Sequence, residues 1–177
     1  MGATAKEQVP LLKGFWPTNF QMNVHHLLID DRNPLHRELS IYRTGTVNQV
    51  RLRDRSYHVY GSLSIDAHDY AALFHYHIIE ACNALPFLSE SGNGLDSWDE
   101  ALLHQTNFGA FLTILSREAG AIDTEKEETV VLGWQNHPEP VMYLRRIDPL
   151  KTLAFIDTLK LFVETSLEET FDLEFIL

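Results

Sequence analysis

The chain has 177 residues and a formal net charge of −11, from 14 Lys plus Arg against 25 Asp plus Glu, with an apolar fraction of 45%. Those proportions suit one domain with a real core, and they exclude bulk disorder and a binder that works by neutralising phosphates, so no nucleic-acid partner is expected. No apolar run approaches the roughly 20 residues that cross a bilayer, so no membrane insertion is expected; the single cysteine, Cys82, excludes an internal disulfide and a multi-cysteine metal site.

Residues 1–19 contain Gly2, Pro10, Gly14 and Pro17 and read as an irregular arm, with residues 20–177 forming a single α+β domain. No basic segment followed by an apolar run opens the sequence, so no secretory signal is expected and a cytoplasmic, reducing location is. Phe20–Ile29 is apolar and leaves strand and helix both open, and Asp30 to Pro34 is a turn signal. From Glu38 to Arg43, Leu39 and Ile41 alternate with Ser40 and Tyr42; from Val47 to Arg53, Val50 and Leu52 alternate with Arg51 and Arg53. Across Tyr57–Ile65, Tyr57, Val59, Leu63 and Ile65 share one face. Period two with short turns predicts a three-stranded antiparallel meander.

Asp66 is a good N-cap, and the spacing of Tyr70, Leu73, Phe74, His77, Ile78 and Ala81 predicts a helix that Pro86 ends. A Ser/Gly/Asn-rich loop covers Leu88 to Asp96, and a second helix is predicted from about Ser97 to Ala119 with Gly120 as its stop. Asp123 to Glu128 reads as an exposed loop. Val130, Leu132 and Trp134 alternate, as do Val141 and Tyr143 with Met142 and Leu144, which predicts a hairpin turning at Asn136-His137-Pro138. Asp148-Pro149 is a capped helix start, and Phe155, Ile156, Leu159, Phe162, Val163 and Leu167 give that last helix an apolar stripe to about Glu169. The expected architecture is α+β: an antiparallel sheet, meander plus hairpin, packed against three helices.

Chemistry is sparse. His75 and His77 form an H-x-H pair that would share an ion on a strand but diverge by roughly 200° on a helix; His25, His26 and His36 are further candidate ligands for a metal-dependent enzyme or sensor. Cys82 falls inside a helix pattern, as a structural thiol does, and there is no G-x-S-x-G turn. Gly92 and Gly94 precede no Lys-Ser or Lys-Thr, so they form no phosphate loop. No catalytic residue and no cofactor is expected. Charge is uneven: residues 32–55 carry six arginines against two acids, a net of +4, while residues 56–177 carry −14. The arginines line the solvent face of strands, or they make a patch through which Arg51, Arg53 and Arg55 dock an acidic protein.

The second half resembles the small acidic class I chaperones of bacterial type III secretion, which serve individual effectors. The residues are Leu102-Leu103 followed by Asn107-Phe108, the paired segments Thr129–Gln135 and Val141–Leu144, and the helix from Pro149 to Glu169 with its Phe162-Val163-Glu164. The early meander fits by topology, and residues 66–96 have no counterpart in that pattern. The resemblance implies a cytoplasmic bacterial homodimer that holds an extended segment of a secreted effector without hydrolysing nucleotide. On it, Leu39, Ile41, Val50, Leu52, Arg51 and Arg53 are the expected partner-binding residues, and Leu103, Phe108, Phe111 and Leu112 the expected dimer contact.

Overall fold

The structure is a computed structural model describing residues 24–29, 39–44, 49–51, 57–59, 61–96 and 100–176. In chain order its strands are β1 (His25–Leu28), β2 (Leu39–Thr44), β3 (Gln49–Arg51), β4 (Tyr57–Val59), β5 (Ser62–Ile65), β6 (Leu88–Ser89), β7 (Ala101–Leu103), β8 (Glu128–Gln135), β9 (Val141–Ile147) and β10 (Asp172–Ile176). Its helices are α1 (Ala67–His75), α2 (Ile78–Cys82), α3 (Phe108–Ala121) and α4 (Pro149–Glu168). The fold is α+β, with antiparallel pairing throughout except where β1 joins β9. Among the described residues no helix is long and apolar enough to cross a membrane.

The largest sheet runs β5-β2-β10-β7-β6. Period two places Leu39 and Ile41 of β2, Ala101 and Leu103 of β7, and Leu173 and Phe175 of β10 on its buried face. Against that face the helices set Leu73, Ile78, Phe108, Phe111, Leu115, Ile156, Leu159 and Val163. Phe175 meets Phe87 and Phe111 edge-on, with ring centres 5.4 and 6.1 Å apart.

The meander is not built as expected. β2 pairs directly with β5, while β3 and β4 form their own two-stranded ribbon. The predicted Tyr57–Ile65 strand is therefore two strands, and Gly61 is the reason. Its φ is +64°, and a Cβ there would lie 2.5 Å from Arg43 Cδ. Its carbonyl accepts from Arg43 N at 3.0 Å, which locks the corner to β2.

The helix predicted from Asp66 to Pro86 starts where expected: Asp66 accepts from Asp69 N. It then breaks into α1 and α2 at His77, whose φ of 58° is left-handed. The helix predicted from Ser97 begins instead at Phe108, because Ala101–Leu103 is recruited as a strand beside β10. α4 holds the predicted cap, with Asp148 accepting from Leu150 N and Lys151 N and Pro149 opening the first turn. β10, for which the sequence reading assigned no element, is the middle strand of the sheet.

Candidate functional site

The second sheet runs β1-β9-β8, and its register decides which side chains meet solvent. Val141 to Ile147 alternate across it. One face carries Arg145, which donates to the Ala67 carbonyl at the start of α1, and Ile147, which is fully buried. Tyr143 lies on this face too, its hydroxyl donating to Gln135 Oε1 at 2.8 Å.

The opposite face is built from two cross-strand rows, His26–Met142–Trp134 and Leu28–Leu144–Val131. No described element packs over it: Leu28, Val131 and Trp134 remain 44%, 53% and 57% exposed. Singly exposed apolar residues are ordinary, whereas here exposed Leu28, Val131 and Trp134 flank half-buried Met142 and Leu144 on one sheet face, which makes that face a candidate contact surface. β8 is also an edge strand, and among the described residues none pairs with its outer side. A bulge between Val131 and Gly133 sets Leu132 outside the ladder. The bulge overturns the expected shared face of Val130, Leu132 and Trp134: Val130 is half-buried, while the other two are exposed.

Between β8 and α1 lies an open cleft of about 680 Å³, walled by Tyr70 and Phe74 on the helix and by Val130 and Leu132 on the strand. The rings of Tyr70 and Phe74 stand edge-on, 5.1 Å apart. Two polar side chains of the cleft are already engaged. Arg145 holds the Ala67 carbonyl, and His75 Nε2 lies 2.7 Å from Glu128 Oε2, tying the end of α1 to the start of β8. Lys126 Nζ approaches the other Glu128 oxygen at 3.0 Å, and Lys126 first, then His75, hold that carboxyl below its ordinary range.

The H-x-H pair, His75 and His77, which could share an ion only on a strand, does not converge. His75 is committed to Glu128, and His77, in its left-handed turn, faces Glu80 at 3.0 Å. His25 pairs with Glu139 at 3.2 Å on the far end of the sheet, His26 is exposed on β1, and His36 lies outside the described residues. One group of three candidate ligands exists among the described residues, Asp66, His68 and Asp69. Five of its six side-chain oxygen and nitrogen atoms are taken. The Asp148 N–H donates to His68 Nε2 at 2.9 Å, so the ring proton sits on Nδ1 and is given to Asp69 Oδ1 at 2.8 Å. Asp66 receives the Asp69 N–H on one oxygen and Lys151 Nζ on the other. This is a clasp between the first turns of α1 and α4.

Two of the residues assigned to partner binding are placed otherwise. Leu39 and Ile41 are 4% and 0% exposed and belong to the core, because β2 lies next to the central strand. Val50 and Arg51 lie on β3, but their side chains, like Leu52, Arg53 and Arg55 altogether, fall outside the described residues. The expected dimer contact is likewise interior. Leu103, Phe108 and Phe111 are buried in the chain's own core and Leu112 packs beside them; baring two phenylalanines would cost about 2 kcal/mol or more each. Cys82 is buried, and burial pushes its thiol up to about 12.

Sequence patterning did not single out Leu28, Phe74, Val131, Leu132 and Trp134 as a surface, yet the fold leaves them exposed. A signal existed in Val130-Val131-Leu132, an apolar run too continuous for a strand covered on one face only. No protein-family model matches the chain, and comparison with curated proteins and with solved structures finds no match.

Proposed function

We propose that this chain is a binding protein that holds an extended segment of another polypeptide along the outer edge of β8. A single observation carries the reading: an edge strand with no described neighbour on its outer side, bearing exposed Val131, Leu132 and Trp134 and flanked by an apolar cleft. Strand addition supplies main-chain hydrogen bonds for affinity, while alternate side chains of the added strand enter the cleft and cover the open face. Each large side chain whose exposed half is buried contributes about 1 kcal/mol. The client class that the resemblance implies, a secreted effector kept extended before export, is one such segment.

The test uses the full chain and a ten-residue peptide alternating Val and Thr around a central Phe. Binding is expected to shift Trp134 emission and to slow amide exchange in β8. Leu132→Asp places a charge on an exposed site, so the variant keeps the wild-type far-UV spectrum and thermal midpoint while losing the peptide. A folded Leu132→Asp protein that binds as well as the wild type refutes the assignment, as does unchanged exchange in β8.

A further inference from the structure

The two ends of β8 differ in charge. The loop Asp123–Glu127 that enters it is exposed along its whole length, and with Glu128 it carries four carboxylates and one lysine. Lys126 is turned onto Glu128, which also holds His75. On the loop this leaves Asp123, Glu125 and Glu127, while Arg145 and Arg146 lie on β9 opposite Val130 and Thr129, across β8 from an added strand; Asp123 Oδ1 additionally fixes the turn by accepting the Glu125 N–H at 3.0 Å. At the other end β8 runs from Trp134 and Gln135 into Asn136-His137-Pro138, and the acid nearby, Glu139, already faces His25. An added strand thus meets three exposed loop carboxylates at the N-terminal end of β8 and one exposed carboxylate, Glu139, at the other.

Resting on the binding role proposed above, we infer that the segment accepted by β8 runs antiparallel to it and carries an alternating apolar stretch followed by two or three Lys or Arg. Antiparallel ladders are the slightly stronger kind, and that direction brings the C-terminal flank of the segment beside Asp123, Glu125 and Glu127. The apolar stretch supplies one bulky uncharged side chain for the cleft, whose Arg145 and His75 already have partners. A second copy of this chain fits poorly. Its own β8 laid antiparallel would bring Asn136, His137, Pro138 and Glu139 to the acidic loop, and there is no Lys or Arg between Lys126 and Arg145.

Three labelled peptides share the core alternating Val and Thr around Phe. One ends in Lys-Arg-Lys, one begins with it, and one ends in Glu-Asp-Glu. At low ionic strength the first is expected to bind the full chain about tenfold tighter than the second and more tightly still than the third. The preference should shrink severalfold as salt shortens the screening length to roughly 3 Å at 1 M. In the folded double variant Glu125→Lys with Glu127→Lys, the order of the first and third peptides should invert. Equal binding of all three overturns the inference and leaves the strand-edge role standing, whereas binding of none overturns both. A wild-type dimer that Leu132→Asp converts to monomer also overturns it, because the occupant is then a second copy.

Discussion

Replacing Arg43 by alanine is expected to destabilise the fold by roughly 2.5 kcal/mol, although the residue is one of the six strand-region arginines that sequence alone assigns to a solvent face or a docking patch. In the structure its guanidinium is inside a small socket. Nε donates to Ser166 Oγ at 2.8 Å, Nη1 reaches Glu169 Oε2 at 3.0 Å, and the plane lies 4.6 Å from the centre of the Phe162 ring. The charged hydrogen bond to Ser166 contributes about 1 kcal/mol, and the cation–π contact about 1 kcal/mol. The Glu169 pair is discounted to about 0.5 kcal/mol because that carboxylate is half-exposed. No penalty for an orphaned hydroxyl is added, since Ser166 Oγ still donates to the Phe162 carbonyl at 2.6 Å. With a urea dependence of about 2 kcal/mol per molar, the midpoint should fall by about 1.2 M. Arg43→Lys keeps a charge near Glu169 but loses the fork and the stacking, and should fall about halfway. A loss under about 0.3 M for alanine, or full retention by lysine, would refute the account and return Arg43 to the pool of charges open to a partner.

Three further outcomes are expected. Cys82, with its thiol raised to about 12 by burial, should resist a disulfide dye at neutral pH and react fully only in denaturant; native labelling at the rate of a free thiol would contradict its placement. Partial burial works to raise the Asp66 carboxyl, but the Lys151 bond and the Asp69 amide outweigh it and hold the group below its usual 3.8. Because the folded value is the lower one, this stabilisation is present above the unfolded pKa and is lost as pH falls through the folded pKa. The urea midpoint of the wild type should therefore drop more than that of Lys151→Met between about pH 5 and about pH 2, and equal drops would exclude the pairing. Ending the chain after Phe171 removes β10 from between β2 and β7, so no cooperative urea transition should survive; a cooperative one would show that the sheet does not need its middle strand.

Features settled by a few neighbouring residues were legible in the sequence. Asp66 and the Asp148-Pro149 pair cap their helices as chemistry close by dictates, and the Leu39/Ile41 alternation names the buried face of β2 correctly. What escaped depends on residues far apart. Ala101-Leu102-Leu103 suits a helix or a strand equally, and only pairing with Leu173–Phe175 decides for the strand. The break at His77 is a single left-handed residue inside an apolar helical pattern, with no Gly or Pro to announce it. The exposed apolar surface went unread for a related reason. Leu39 and Val131 both look like the apolar half of a strand, and what separates them is strand order: β2 lies beside the central strand, while β8 has no described neighbour on its outer side.

The position of β10 bears on how the molecule comes to exist at all. A ribosome delivers residues 39–44 and 101–103 long before it delivers 172–176, yet these are the strands that lie side by side. Until that late stretch emerges, two half-sheets stand with facing, unzipped borders, and their closure must bridge more than a hundred intervening residues. Nascent chains of this protein therefore pass through an interval in which a bystander strand can fill the vacant slot, and the time taken to make and deliver the stretch between β7 and β10 sets how long that interval lasts.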